Sequence, residues 1–172
     1  MKNMKKILFI LMIGVIAVST ANAQGKGKLG HINSQELVNL MPEAKAASDS
    51  LQKFAGAIQG EYERMAAELK KLAEDFDANK AGMSEIIRQQ RINELNDKQG
   101  RLTEFERLGN QEVSKKEQEL FKPISDKALK AIEDVAKEKG YQYIFDKARG
   151  GLLYAGPTDD VLPLVKAKLG LQ

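Results

Sequence analysis

Between residues 51 and 76 the large apolar side chains fall at Leu51, Phe54, Ile58, Tyr62, Met65, Leu69, Leu72 and Phe76. Steps of three and four residues place them on one stripe of an α-helix. The repeat is close to a heptad, with one extra residue where two steps of four adjoin. Pro42 suits the first turn of this helix, and Asn79-Lys80-Ala81-Gly82 is a turn signal that ends it. A helix restarts after Ser84, an N-cap, with Glu85 favourable in the first turn. Ile87, Leu95, Leu102, Phe105, Leu108, Leu120, Ile124, Ile132 and Val135 mark the apolar side of this second helix. It ends at Lys137-Glu138-Lys139-Gly140, with basic residues in the last turn and glycine beyond it. At the usual helical rise, 42–79 reaches about 57 Å and 84–139 about 84 Å. Neither fits inside a compact domain, so the two are predicted to fold back on each other as a projecting antiparallel coiled-coil hairpin. Pro123 lies inside the second helix and is expected to kink it.

The flanking segments carry the other period. Lys28-Leu29-Gly30-His31-Ile32-Asn33 reads as a short strand. Ser34 to Met41 reads as a short helix, with Asn33 as N-cap and Glu36 at capping-box spacing. Tyr141 to Lys147 is a strand by its aromatic and β-branched content. Ala148-Arg149-Gly150 turns the chain, and Gly151-Leu152-Leu153-Tyr154-Ala155 reads as a second strand, so the pair predicts a β-hairpin. Thr158-Asp159-Asp160 then caps a final helix toward Leu169, and Pro163 predicts that this helix is short or begins late. Three short strands bury little and leave open edges. Sharing them between subunits predicts an oligomer whose body includes Ile32, Tyr143, Phe145, Leu153 and Tyr154. The fold class is therefore mainly α with a small β part. Residues 28–41 and 140–172 form the body of one domain, 24–172, and 42–139 form its helical arm.

The N-terminus changes the picture. Lys2, Lys5 and Lys6 precede an uncharged apolar run from Ile7 to Val18, and Ala21-Asn22-Ala23 follows. These are the three parts of a secretory signal peptide, and the run is too short for a membrane-spanning helix. Cleavage is expected after Ala23, removing 1–23 and exporting the remainder. The chain's formal charge of +3 includes those three lysines. Without them, 27 − 3 = 24 bases face 24 acids, which disfavours a globally basic nucleic-acid binder. Cysteine is absent, which excludes disulfides, thiolate metal sites and lipid attachment at the processing site.

Few motifs suggest chemistry. Gly25-Lys26-Gly27-Lys28-Leu29-Gly30 spells G-x-G-x-x-G, but a dinucleotide site needs a strand before it and a helix after it. Here a strand follows, so a terminal tail is expected. His31 is the only histidine and reads as a strand residue facing solvent or a neighbour. Glu61 with Glu68, and Glu117 with Asp126, read as solvated helix faces. No catalytic constellation, cofactor site or metal site emerges, so an enzyme is not expected. Gly56 and Gly60 suggest flexibility in the first helix. A turn near residues 81–82 places Gly109 opposite Phe54, as a packing notch or as a hinge. At the arm tip Lys80, Met83, Ile86, Ile87, Arg88 and Arg91 combine apolar and cationic side chains. That combination suits an unfolded chain or an anionic lipid head group, while the plain alternative is a capped turn with ordinary surface charge.

The ordered set resembles the Skp/OmpH family of periplasmic chaperones. The resemblance lies first in Lys28-Leu29-Gly30-His31-Ile32-Asn33-Ser34-Gln35-Glu36-Leu37 and Met41-Pro42-Glu43-Ala44-Lys45-Ala46-Ala47. It continues in Pro123-Ile124, in 132–141, in Tyr143-Ile144-Phe145-Asp146 and in Leu152-Leu153-Tyr154-Ala155. It implies a homotrimer with a β-barrel body and three helical tentacles around a cavity. It also implies ATP-independent capture of unfolded outer-membrane β-barrel proteins in the periplasm. The alternative is a structural or adaptor coiled coil of the cell envelope.

Overall fold

The helices begin and end where their caps put them. In a computed structural model that describes residues 27–171, the Asn33 side chain accepts from the Glu36 N–H at 3.1 Å. The Ser84 hydroxyl accepts from the Ile87 N–H at 3.4 Å. Pro42 occupies the first helical turn, where its missing N–H costs nothing. Gly140 closes the longest helix in the left-handed conformation, φ 71°. The elements are β1 (Lys28–Ile32), α1 (Ser34–Leu40), α2 (Pro42–Asn79), α3 (Glu85–Lys139), β2 (Tyr141–Asp146) and α4 (Leu162–Leu169). Single 3-10 turns lie at Lys80–Gly82, Lys147–Arg149 and Pro157–Asp159. The signal peptide with its Ala23 cleavage site, and Gly25 and Lys26 of the glycine motif, lie outside the described residues.

The fold is the expected one, a long antiparallel helical hairpin on a small body. The two long helices differ by 55 − 38 = 17 residues. Lys127 of α3 still pairs with Glu43 in the first turn of α2, and beyond that level α3 runs on past the start of α2 into the body. There Ile124, Ala128, Ala131 and Val135 pack with Ile32, Leu37, Met41, Val161 and Val165 in one core cluster. Alanines at the crossing let the backbones approach closely: Ala44 and Ala47 of α2 join the same cluster. Helix α3 continues through Pro123 as one element. The core sits almost wholly at the body end, because two helices alone cannot enclose a side chain. All eight stripe residues of α2, from Leu51 to Phe76, are only half-buried.

On α3 the seam departs from expectation. Leu108 is 45 % exposed, whereas Leu102 and Gly109 are buried and Phe105 and Val113 half-buried. The facing stripe therefore passes through Gly109 rather than Leu108. The reason is steric: a Cβ on Gly109 would lie 2.7 Å from Ile58 Cγ2. The notch exists, but it receives Ile58, one turn beyond Phe54. Gly56 and Gly60 have no such neighbour.

The sheet is not the predicted hairpin. β2 pairs with β1, in parallel, with Leu29 opposite Tyr143, Gly30 opposite Ile144, His31 opposite Phe145 and Ile32 opposite Asp146. The whole helical arm is the crossover between the two strands. Residues 151–155 form neither strand nor helix. Gly150 (φ 77°) and Gly151 (φ 90°) turn the chain away after the 3-10 turn. Leu153 is fully exposed, so ordering a third strand within one chain would cost backbone entropy with little burial in return. The last helix starts at Leu162 with Pro163 in its first turn, the late start that Pro163 predicted.

Gly30 belongs to this packing, not to a tail. A Cβ there would sit 2.9 Å from both Tyr141 Cε1 and Val161 Cγ1. Of the two settings expected for His31, solvent or a neighbour, the structure has the second; it is 5 % exposed. The strap 156–161 covers it: its Nε2 lies 2.8 Å from the Gly156 carbonyl, and its own carbonyl accepts from the Val161 N–H at 2.9 Å. Because a carbonyl only accepts, Nε2 carries the hydrogen, and the buried Nδ1 has no partner among the described residues.

Candidate functional site

Two regions that hold the predicted site residues expose large apolar side chains: the outer surface of the body and the free end of the arm. At the body, alternation along β1 and β2 turns Ile32 and Ile144 toward the helices and Leu29, Tyr143 and Phe145 away from them. Leu29 is 52 % exposed, Tyr143 63 % and Phe145 48 %. The two rings stack at 6.4 Å between centroids with a 26° interplanar angle. Leu153 and Tyr154 add two further exposed apolar groups on the 147–156 connection. Of the five body residues singled out from sequence, Tyr143, Phe145, Leu153 and Tyr154 are on the surface, while Ile32 is consumed by the chain's own core.

Beneath this surface a carboxylate fixes the connection. Asp146 Oδ2 accepts from the Ser34 hydroxyl at 2.6 Å, and Oδ1 accepts from the Ser34 N–H at 3.1 Å and the Ala148 N–H at 3.0 Å. Arg149 Nε lies 3.4 Å away. Burial pushes the Asp146 carboxyl up. The Ser34 hydroxyl, the two backbone N–H groups and the Arg149 charge outweigh it, so the group sits below the ordinary aspartate range. This clasp was not visible in the sequence, because Ser34 and Asp146 are separated by the entire arm.

At the arm tip, Ile86 is 81 % exposed and Ile87 49 %. Met83 is half-buried under the turn. The three cations predicted to attract anions each have a local acidic partner. Lys80 meets Asp77 at 2.8 Å, Arg88 meets Glu85 at 3.1 Å and Arg91 meets Glu94 at 2.7 Å. The tip is therefore an apolar point ringed by locally neutralised charge.

The arm's flanks repeat that pairing. Arg64 bridges Glu61 and Glu68. The hydrogen bond from Arg64 lowers the Glu61 carboxyl below its ordinary value, and the Arg64 guanidinium is raised in turn. Arg107 does the same for Glu104. Glu61 and Glu68 are thus one ion-paired helix face, as Asp126 is with Lys122. Between the helices Lys98 reaches Glu68 at 3.6 Å, and Lys127 pairs with Glu43 at the arm root. The described residues contain no cluster of three or more side chains suited to a metal ion. They also contain no helix long and apolar enough to cross a membrane.

A small mixed body whose two parallel strands are joined by one long antiparallel helical arm defines a distinct architectural class. The model of the family described as "Outer membrane protein (OmpH-like)" matches residues 28–169, and the chain belongs to that family. Among solved structures, it is similar to the crystal structure of "a putative outer membrane chaperone (OmpH-like)" from Caulobacter crescentus CB15. The two share 19 % identity and a TM-score of 0.69, with 86 % of each chain covered. At that identity the likeness speaks for the fold. No match is found among the curated proteins.

Proposed function

We propose that this chain is an ATP-independent periplasmic holdase that binds unfolded outer-membrane proteins and prevents their aggregation. Family membership supports the class of client. The observation that carries the mechanism is the arm itself, an apolar seam from Leu51 to Phe76 that stays half-buried along its length. Such a surface offers many weak, sequence-tolerant contacts to an extended chain. Its charges are paired locally, and 24 bases balance 24 acids after removal of the signal peptide. Contact with clients is therefore mainly apolar, and Ile86 and Ile87 at the tip belong to it. Met83, Lys80, Arg88 and Arg91 complete the tip; for lipopolysaccharide or other anionic lipid, its cations would first have to leave their carboxylates.

The working form is a homotrimer assembled through the body, with Tyr143, Phe145, Leu153 and Tyr154 in the contact. Three arms then surround a shared space, and release follows from client folding or transfer, since the one G-x-G-x-x-G stretch, Gly25 to Gly30, lacks the preceding strand and following helix of a nucleotide site. Export by the 1–23 signal peptide brings the chain to the compartment where such clients cross unfolded. The test is binding of the trimer to several unrelated outer-membrane barrels, each presented unfolded and folded. A holdase binds every unfolded form and no folded one; capture of a single folded partner alone would point to an envelope adaptor instead.

A further inference from the structure

The single histidine of the chain ties a strap to the body. His31 lies on β1, buried, and the next residue, Ile32, enters the core. Residues 156–161 pass beside it and are held at two ends. The His31 Nε2–H donates to the Gly156 carbonyl at 2.8 Å. The His31 carbonyl accepts from the Val161 N–H at 2.9 Å, with Asp160 bridged to His31. The Val161 end is secure, because that side chain is fully buried. The Gly156 end is not: among the described residues its carbonyl meets only the imidazole and, within the strap itself, the Asp159 N–H at 3.3 Å. Just upstream Leu153 and Tyr154 are exposed, and Gly150 and Gly151 turn the chain away from the sheet.

The neutral ring suits this place and the protonated ring does not. Neutral imidazole donates once, through Nε2, and keeps a lone pair on Nδ1. That Nδ1 is buried and has no partner among the described residues. Protonation would put an N–H there without an acceptor, and a charge where water is excluded; both are costly. The charges around the ring are committed elsewhere. On the strap, Asp160 accepts from the Leu162 N–H at 2.9 Å and from Lys147 at 3.3 Å, and Asp159 is exposed, where solvent screens it. On β2 the residue opposite His31 is Phe145, and Asp146 is bound by Ser34, Ala148 and Arg149. Tyr141 and Tyr143, also on β2, bring no negative charge at neutral or acid pH. The Lys28 ammonium of β1 stands over the Tyr141 ring at 4.0 Å. On α4 the charged groups are Lys166 and Lys168, the latter paired with Glu138.

We infer that His31 is a pH-sensitive latch: its neutral ring holds the 156–160 strap on β1, and protonation frees the strap and the 150–155 connection before it, while Val161 and α4 stay in the core. The closed latch needs the neutral ring, whereas a freed strap tolerates either form. The latch is therefore fully closed above the ordinary histidine range, near about pH 6.5, and opens as pH falls below it. The carboxylates of Asp146, Asp159 and Asp160 belong to a lower range, near about pH 4, so the two events separate in a titration. The device is contained within one chain and stands apart from the oligomeric and client-binding readings.

The absence of cysteine and the single histidine make the test direct. A nitroxide on Thr158→Cys, exposed on the strap, reports its mobility by electron paramagnetic resonance in the full mature chain. The expected result is a fast-moving component that is missing at about pH 8, grows in through about pH 6.5 and dominates at about pH 5, reversibly. His31→Gln keeps an amide donor near the Nε2 position and cannot take up a proton; in that background the label should stay immobile over the same range. Nitrogen NMR of the one imidazole in the otherwise unchanged chain gives a second reading, in which proton uptake and strap release should coincide. If the strap of His31→Gln is mobile at every pH, the ring is confirmed as the anchor and the nitrogen titration decides its pH dependence. A label that stays immobile at about pH 5, a mobile component that grows in equally in both backgrounds, or a ring that gains its proton while the strap stays in place overturns the latch.

Discussion

Replacing Asp146 with alanine removes the clasp that ties the end of β2 to the start of α1. Three hydrogen bonds disappear, two from backbone N–H groups and one from the Ser34 hydroxyl. A hydrogen bond to a charged group contributes about 1.5–3 kcal/mol net. The Asp146 side chain is 24 % exposed, so water replaces part of what is lost. The expected cost is about 2–3 kcal/mol, which at this chain length lowers Tm by about 4–12 °C. The pH dependence has a definite sign. The folded-state carboxyl is held below its ordinary value, so its stabilisation is complete above the unfolded value, near pH 4, and fades as pH falls through the lower folded value. Thermal unfolding of wild type and Asp146→Ala at equal chain concentration should show the full gap at pH 7 and a narrowing gap below about pH 4. Equal Tm values at pH 7, or a gap that persists undiminished in strong acid, would refute the reasoning.

Other outcomes follow from close contacts and exposure. Gly30→Ala drives a methyl against Val161, which is fully buried, and should destabilise the body by about 1–3 kcal/mol in a denaturant titration. Gly109→Ala should destabilise by about 1–2 kcal/mol in a denaturant titration, because the new Cβ would lie 2.7 Å from Ile58 Cγ2, a β-branched group with little freedom to rotate in a helix, and the gain of about 1 kcal/mol in helix propensity offsets only part of that. Gly109→Phe should instead push α2 and α3 apart, lengthening the distance between spin labels placed on either side of that level. Ile86→Asp should leave Tm unchanged, since the residue is 81 % exposed, and should weaken binding of an unfolded barrel in a fluorescence titration. Arg88→Gln should have a smaller effect on that binding than Ile86→Asp, because Glu85 already occupies the guanidinium.

The arm was legible in the sequence because its information is local. The three-and-four spacing, Pro42, Ser84 and Gly140 each act within a turn or two of chain, and each appears where expected. The seam through Gly109 was misplaced by one residue, since a glycine gives no hydropathy signal and its role depends on Ile58 from the facing helix. The body was legible only in outline. Tyr141 to Asp146 has the composition of a strand, but composition does not name its partner, and β1 arrives from across the whole arm. The same distance hid the Asp146–Ser34 clasp and the burial of His31. Residues 151–155 read as a second strand after the turn at 148–150, yet among the described residues nothing pairs with them. At the tip the residue types were visible and their pairing was not: Asp77, Glu85 and Glu94 neutralise the cations that looked free.

Aggregation of a diluted, denatured outer-membrane barrel, followed by light scattering, tests the central claim most directly. The mature protein, added at one trimer per client without nucleotide, should suppress the scattering and keep the client soluble and unfolded. Scattering that rises as it does without the protein would contradict the account.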